Sequence, residues 1–115
     1  MLRKTLFMAA AAFSFLSTPA GAEEHIILIM PDAYFPAKSY VVPGDTLRFI
    51  NETESSVTVV SADGAWSTGN LSVNSEASVG VSQGMSRDFY HEGVFDENGD
   101  PAVTGILQFG AAPLN

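Results

Sequence analysis

An all-β fold, a small two-sheet sandwich, is what the sequence predicts, and three observations predict it. Short runs rich in Val, Ile, Phe, Tyr and Thr are separated by Gly, Pro, Asn and Asp. No stretch beyond residue 22 sustains the periodicity of an amphipathic helix. Within the runs, apolar side chains instead recur at the two-residue period that puts alternate positions on one face of a strand. Their number and spacing suit a sandwich.

The first run, Ile26 to Met30, reads IILIM and is apolar on both faces, which predicts a strand covered on both sides or lying between two neighbours. Tyr40 to Val42 is the next expected strand. Thr46 to Asn51 alternates Leu47 and Phe49 on one face with Arg48 on the other. Val57 to Ser61, Ser78 to Ser82, Arg87 to His91 and Thr104 to Phe109 complete the set. Leu47 with Phe49, Val79 with Val81, and Leu107 with Phe109 are the expected core pairs. Turns are marked by Pro43-Gly44-Asp45, Ala62-Asp63-Gly64, Gln83-Gly84 and Asn98-Gly99-Asp100, each with a residue that tolerates positive φ or fixes φ. The least regular segment, Gly64 to Glu76, is compatible with a loop, a short helical turn or a strand, and Trp66 within it is expected to anchor the segment on the core.

The two ends carry different information. Arg3 and Lys4 precede an apolar run from Leu6 to Leu16, and Ala20-Gly21-Ala22 closes it with an A-x-A pattern, so residues 1–22 read as a secretory signal peptide. The run is shorter than the ~20 apolar residues a membrane helix needs. A single domain, 23–115, is therefore expected to be soluble, with no membrane insertion, and the form of the leader favours the bacterial periplasm. Loss of Arg3 and Lys4 takes the formal charge from −8 to −10. A field of that sign repels phosphate backbones and anionic lipid, which excludes nucleic acid and membrane surfaces as partners and leaves soluble proteins with basic patches. The chain has no cysteine, so it has neither a disulfide staple nor a thiolate site, and it is expected to be a monomer that depends on its apolar core. In a eukaryotic host Asn51-Glu52-Thr53 and Asn70-Leu71-Ser72 would be glycosylation acceptors.

Tyr34 to Asn51 reads YFPAKSYVVPGDTLRFIN. This stretch resembles the cupredoxins, the plastocyanin and amicyanin family of small periplasmic or lumenal copper proteins. Their second and third strands carry F-x-P and then V-x-P-G-D-T-V-x-F-x-N, and Phe35-Pro36 and Val41 to Asn51 follow that pattern. The Phe89-Tyr90 pair and the final TGILQF, Thr104 to Phe109, match the family's closing hairpin, so the resemblance covers nearly the whole mature domain. It implies a Greek-key cupredoxin-like β-sandwich. The family's blue-copper site uses two histidines, a cysteine and a weak axial methionine. Carried onto this chain, the first histidine falls on Val57, beside Ser56. The cysteine falls on His91 if Phe89 is the aromatic residue two places before it, or on Glu92 if Tyr90 is. The second histidine falls near Val94 and the methionine near Val103. None of the four is present, so the resemblance implies the scaffold without blue copper, and Asp96 to Asp100 reads as an insertion in the ligand loop, a solvated turn.

Two candidate metal sites remain, with copper as the cofactor of either and certain in neither. His91 could bind a divalent ion with Glu92, Asp96 or Asp100, since imidazole and carboxylate suit several such ions. The stronger expectation is structural, a hydrogen bond to a neighbouring loop. The second site would arise by cleavage after Ala22, which makes Glu23, Glu24 and His25 the amino terminus. An amine, two deprotonated amides and the third residue's imidazole form the square-planar nitrogen set that copper(II) and nickel(II) take, although strand pairing would compete for those amides. An extended chain from His25 to Met30 covers about 16 Å, so the two histidines are expected at opposite ends of the domain. Ser86, Asp88 and His91 have the residue types of a hydrolytic triad, but the strand period puts Asp88 on the face opposite His91, and no catalysis is expected.

The expected function is that of a periplasmic cupredoxin-like binding or accessory protein, in copper handling or in assembly of an envelope complex. One alternative is a copper(II) carrier using Glu23-Glu24-His25. A second is an electron carrier with an atypical copper site at His91.

Overall fold

The computed structural model describes residues 22–110, and the expected signal peptide, but for Ala22, lies outside the described residues. Nine strands follow one another with no helix between them among the described residues: β1 (Glu24–Met30), β2 (Ala33–Phe35), β3 (Lys38–Val41), β4 (Thr46–Asn51), β5 (Val57–Ser61), β6 (Ser67–Leu71), β7 (Glu76–Gly80), β8 (Asp88–His91) and β9 (Thr104–Phe109). They form two sheets, β2-β1-β4-β7 and β3-β9-β8-β5-β6. The chain changes sheet between β2 and β3, β3 and β4, β4 and β5, β6 and β7, and again before β8. This Greek-key crossing makes β1 pair β4, and β3 pair β9, in parallel, while the other pairs are antiparallel.

All seven expected strands form, with ends shifted by a residue or two. The two that the pattern missed, β2 and β6, each lie at one edge of a sheet. β2 is only three residues long, and β6 reads STGNL with mostly exposed side chains, so neither has an apolar alternation to detect. Ser67 to Leu71 thereby resolves the irregular Gly64 to Glu76 segment as a strand. β1 lies between β2 and β4, as its two apolar faces require. The expected turn glycines Gly44, Gly64, Gly84 and Gly99 all have positive φ.

The inward faces meet in one core. Ile27, Ile29, Leu47 and Phe49 from the first sheet pack on Val41, Val59, Phe89 and Leu107 from the second, and all are fully buried or nearly so. Val79 and Phe109, expected inside, are only partly buried at its margin. Trp66 is an anchor, its ring 6.0 Å from that of Phe49 and 5.8 Å from that of Phe89. Phe89 also meets Phe49 and Tyr34 edge-on, with centroids 5.4 and 4.8 Å apart.

Gly105 pairs with Phe89 across the β8–β9 ladder, and a β-carbon there would lie 2.4 Å from two atoms of the Phe89 ring. The ring therefore occupies space that only glycine leaves free. Gly105→Ala is expected to force Phe89 from its place and lower unfolding stability by ~1–3 kcal/mol, the usual cost of overpacking a core. Urea unfolding of the two proteins, compared at equal slope, measures this.

Candidate functional site

The ends of β1, β4 and β8 and the starts of β5 and β9 gather at one pole, as the pairs Ile29–Asn51, Val59–His91 and Tyr90–Thr104 place them. Asn51 organises this end. It is fully buried, and its Nδ2 donates to the carbonyls of Ser55, Leu71 and Ser72, while its Oδ1 accepts from the Thr53 amide and hydroxyl. The loop from Glu52 to Ser56 is thus pinned to the sandwich through a single side chain. An amide so fully engaged is no acceptor for a glycan in the folded chain. Against the loop lies a cavity of about 400 Å³, bounded also by Pro31, Val57, His91 and Val94.

His91 faces inward at this pole. Phe89, two residues earlier, is 1 % exposed and His91 is 4 % exposed, while Tyr90 points the other way and Glu92 is exposed. Of the two positions left open by the sequence, His91 is the one that faces inward and Glu92 the one that faces solvent. The imidazole Nδ1 lies 2.7 Å from the Tyr34 hydroxyl, and the rings meet edge-on at 4.9 Å. Nε2 is buried with no hydrogen-bond partner of its own. Burial pushes the imidazole below its ordinary pKa, an effect that the nearby Met30 backbone offsets in part. Burial also pushes the Tyr34 phenol well above its ordinary value, so the hydroxyl stays protonated. The expected hydrogen bond of His91 to a loop is therefore made to strand β2 instead.

The acids expected beside His91 point elsewhere. Glu92 and Asp100 are exposed, and Asp96 Oδ1 accepts from the amides of Asn98 and Asp100, closing the 96–100 loop on itself. Among the described residues no three His, Asp or Glu side chains converge on a common point. Asp88 is exposed on the outer face of β8, opposite His91, and the Ser86 hydroxyl donates to the Asp88 carbonyl at 3.4 Å.

Glu23, Glu24 and His25 lie at the opposite pole, where Glu24 and His25 pair with Thr46 and Leu47. The His25 Nε2 is 2.8 Å from Asp45 Oδ2, an oxygen that also accepts from the Val42 amide at 3.0 Å, and the Glu23 nitrogen donates to Oδ1 at 3.0 Å. Burial pushes the Asp45 carboxyl up, but the bonds from His25, Val42 and Glu23 together outweigh it and hold the carboxyl below its ordinary value. Successive amides of an extended strand point in opposite directions, so an amino-terminal square of nitrogens would require Glu23 to His25 to leave their pairing with β4. Sequence reasoning missed Tyr34 and Asp45 as the partners of the two histidines. Both were visible only as members of a turn and of a family motif.

The donor set of a blue-copper centre does not fit the imidazole pole. The chain has no thiolate, and the pole holds one imidazole whose Nδ1 is engaged by Tyr34. Among solved structures the fold is nevertheless that of copper proteins. A Cu-containing nitrite reductase from Thermus scotoductus SA-01 superposes with a TM-score of 0.60 at 14 % identity, over 79 % of this chain and 23 % of that one. Amicyanin from Paracoccus versutus does so with a TM-score of 0.60 at 14 % identity, over 83 % and 87 % of the two chains. An oxidised amicyanin with a methionine-to-leucine substitution gives 0.60 at 16 % identity, over 83 % and 88 %. The chain thus spans under a quarter of the reductase but nearly the whole of amicyanin. No family model matches the sequence, and no curated protein matches it. The molecule has a cupredoxin-like fold, an all-β sandwich of amicyanin's size.

Two outcomes follow from the His91 geometry. Its folded pKa lies below the unfolded value of 6.5, so its contribution to stability is complete above that value and is lost as pH falls through the folded one. The urea midpoint is expected to drop as pH falls below about 6.5, and to drop less in His91→Gln. Tyr34→Phe leaves Nδ1 buried without a partner and is expected to cost ~1–3 kcal/mol by the same measurement.

Proposed function

We propose that this chain is a periplasmic binding or accessory module that keeps the cupredoxin scaffold without electron transfer through blue copper, and that it acts on a soluble partner in copper handling or envelope assembly. The observation that carries this reading is the His91 imidazole. It is buried and tied through Nδ1 to Tyr34, the chain has no cysteine, and among the described residues no group of three His, Asp or Glu side chains could hold a metal ion. A redox centre needs several donors converging on one metal, whereas a recognition surface needs a rigid rim. Asn51 supports a rigid loop at this pole, and the loop borders a cavity that Val94, 42 % exposed, also lines. The strongly negative domain favours a partner with a basic face.

The copper(II)-carrier reading requires Glu23 to His25 to leave the β1–β4 ladder and His25 to leave Asp45, so the folded chain works against it. Titration of the mature protein with copper(II) separates these readings. The accessory module is expected to give no intense charge-transfer colour and no reversible reduction. An amide-rich square-planar spectrum abolished by His25→Ala would support the carrier instead, and a redox-active site abolished by His91→Ala would support the electron carrier.

A further inference from the structure

Asp45 is a charged group at 3 % exposure, compensated among the described residues by backbone donors and one histidine rather than by a permanent cation. Oδ1 accepts one bond from the Glu23 nitrogen, and Oδ2 accepts from the Val42 amide and meets His25. Its one ion-pair partner among the described residues is His25, which is charged only when protonated. Arg48, the nearest basic residue along β4, is engaged on the outer face with Glu24 at 3.6 Å and Glu76 at 3.0 Å. A buried carboxylate is costly unless a full opposite charge compensates it. The nitrogen already placed 3.0 Å from Oδ1 belongs to Glu23, the first residue after the A-x-A pattern that ends the expected leader at Ala22.

We propose that hydrolysis of the Ala22–Glu23 peptide bond completes this site, and that the new α-ammonium of Glu23 forms a buried ion pair with Asp45. An endopeptidase that accepts small residues ahead of the bond adds one water across it. Ala22 keeps the carboxylate on the departing segment, and Glu23 keeps the amine, which takes up a proton. A peptide N–H donor thereby becomes a cationic one at the same position, which adds a full opposite charge to a bond whose acceptor is already ionised. Position is specified as well, because the Glu23 carbonyl accepts from the Thr46 amide at 2.8 Å and fixes the register of β1 on β4. A terminus one residue earlier moves the charge by up to ~3.8 Å, out of contact with Oδ1. The ion pair also withholds the amine from any metal.

The test begins with the full-length chain expressed with its leader in a bacterial envelope, and the intact mass of the purified protein is expected to place its first residue at Glu23. Urea unfolding near neutral pH then compares this protein with a chain retaining Ala20-Gly21-Ala22 ahead of Glu23. The folding equilibrium constant of the Glu23 form is expected to be about tenfold larger, equivalent to ~1.4 kcal/mol. In the Asp45→Asn background the difference is expected to vanish. Should that variant fail to fold, acylation of the α-amine supplies the second measurement, and it is expected to be several-fold slower in the folded Glu23 form than in the unfolded chain. A mature terminus elsewhere, equal stability of the two forms, a difference that survives Asp45→Asn, or equal acylation rates would each overturn the proposal.

Discussion

The contact between Phe89 and Gly105 sets the orientation of everything at the imidazole pole. Phe89 lies over the glycine's bare α-carbon and fills the centre of the sandwich, in edge-on contact with Tyr34 and Phe49. A ring of that size, fully removed from water, is among the largest single contributions a small core can hold. Because strand side chains alternate, fixing Phe89 inward fixes His91 inward two residues later. The buried imidazole is therefore a consequence of how β8 must sit, and Tyr34 supplies the hydroxyl that this burial calls for.

The two poles solve the problem of a buried polar group in different ways. Asn51 is neutral, and five short hydrogen bonds satisfy both ends of its amide, so it can hold the 52–56 loop rigidly at little electrostatic cost. Asp45 carries a charge that backbone donors and one histidine compensate, which ties the start of β1 to the turn before β4. The same sandwich thus presents a stiff neutral rim at one end and an electrostatic clasp at the other. His25 is drawn into the clasp through Nε2, and His91 is tied to Tyr34 through Nδ1 while its Nε2 has no hydrogen-bond partner.

Much of the architecture was legible in the sequence because the signals are local. The alternation of Leu47 and Phe49, the apolar β1 and the turn glycines each report on a few neighbouring residues, and each predicted its element. Strands β2 and β6 were not legible, since β2 is only three residues long and β6, STGNL, has no apolar alternation. The missing cysteine could likewise be read directly, and it rules out a thiolate centre whatever the fold.

Composition and periodicity by themselves determined an all-β sandwich without the thiolate of a blue-copper site, because chain-local physics fixes strand, turn and residue type. Tertiary structure alone decided what each histidine touches. Tyr34 stands 57 residues from His91, and Asp45 stands 20 from His25. Contacts of that separation depend on which sheet each strand joins and on which face it turns inward, and no local pattern encodes either.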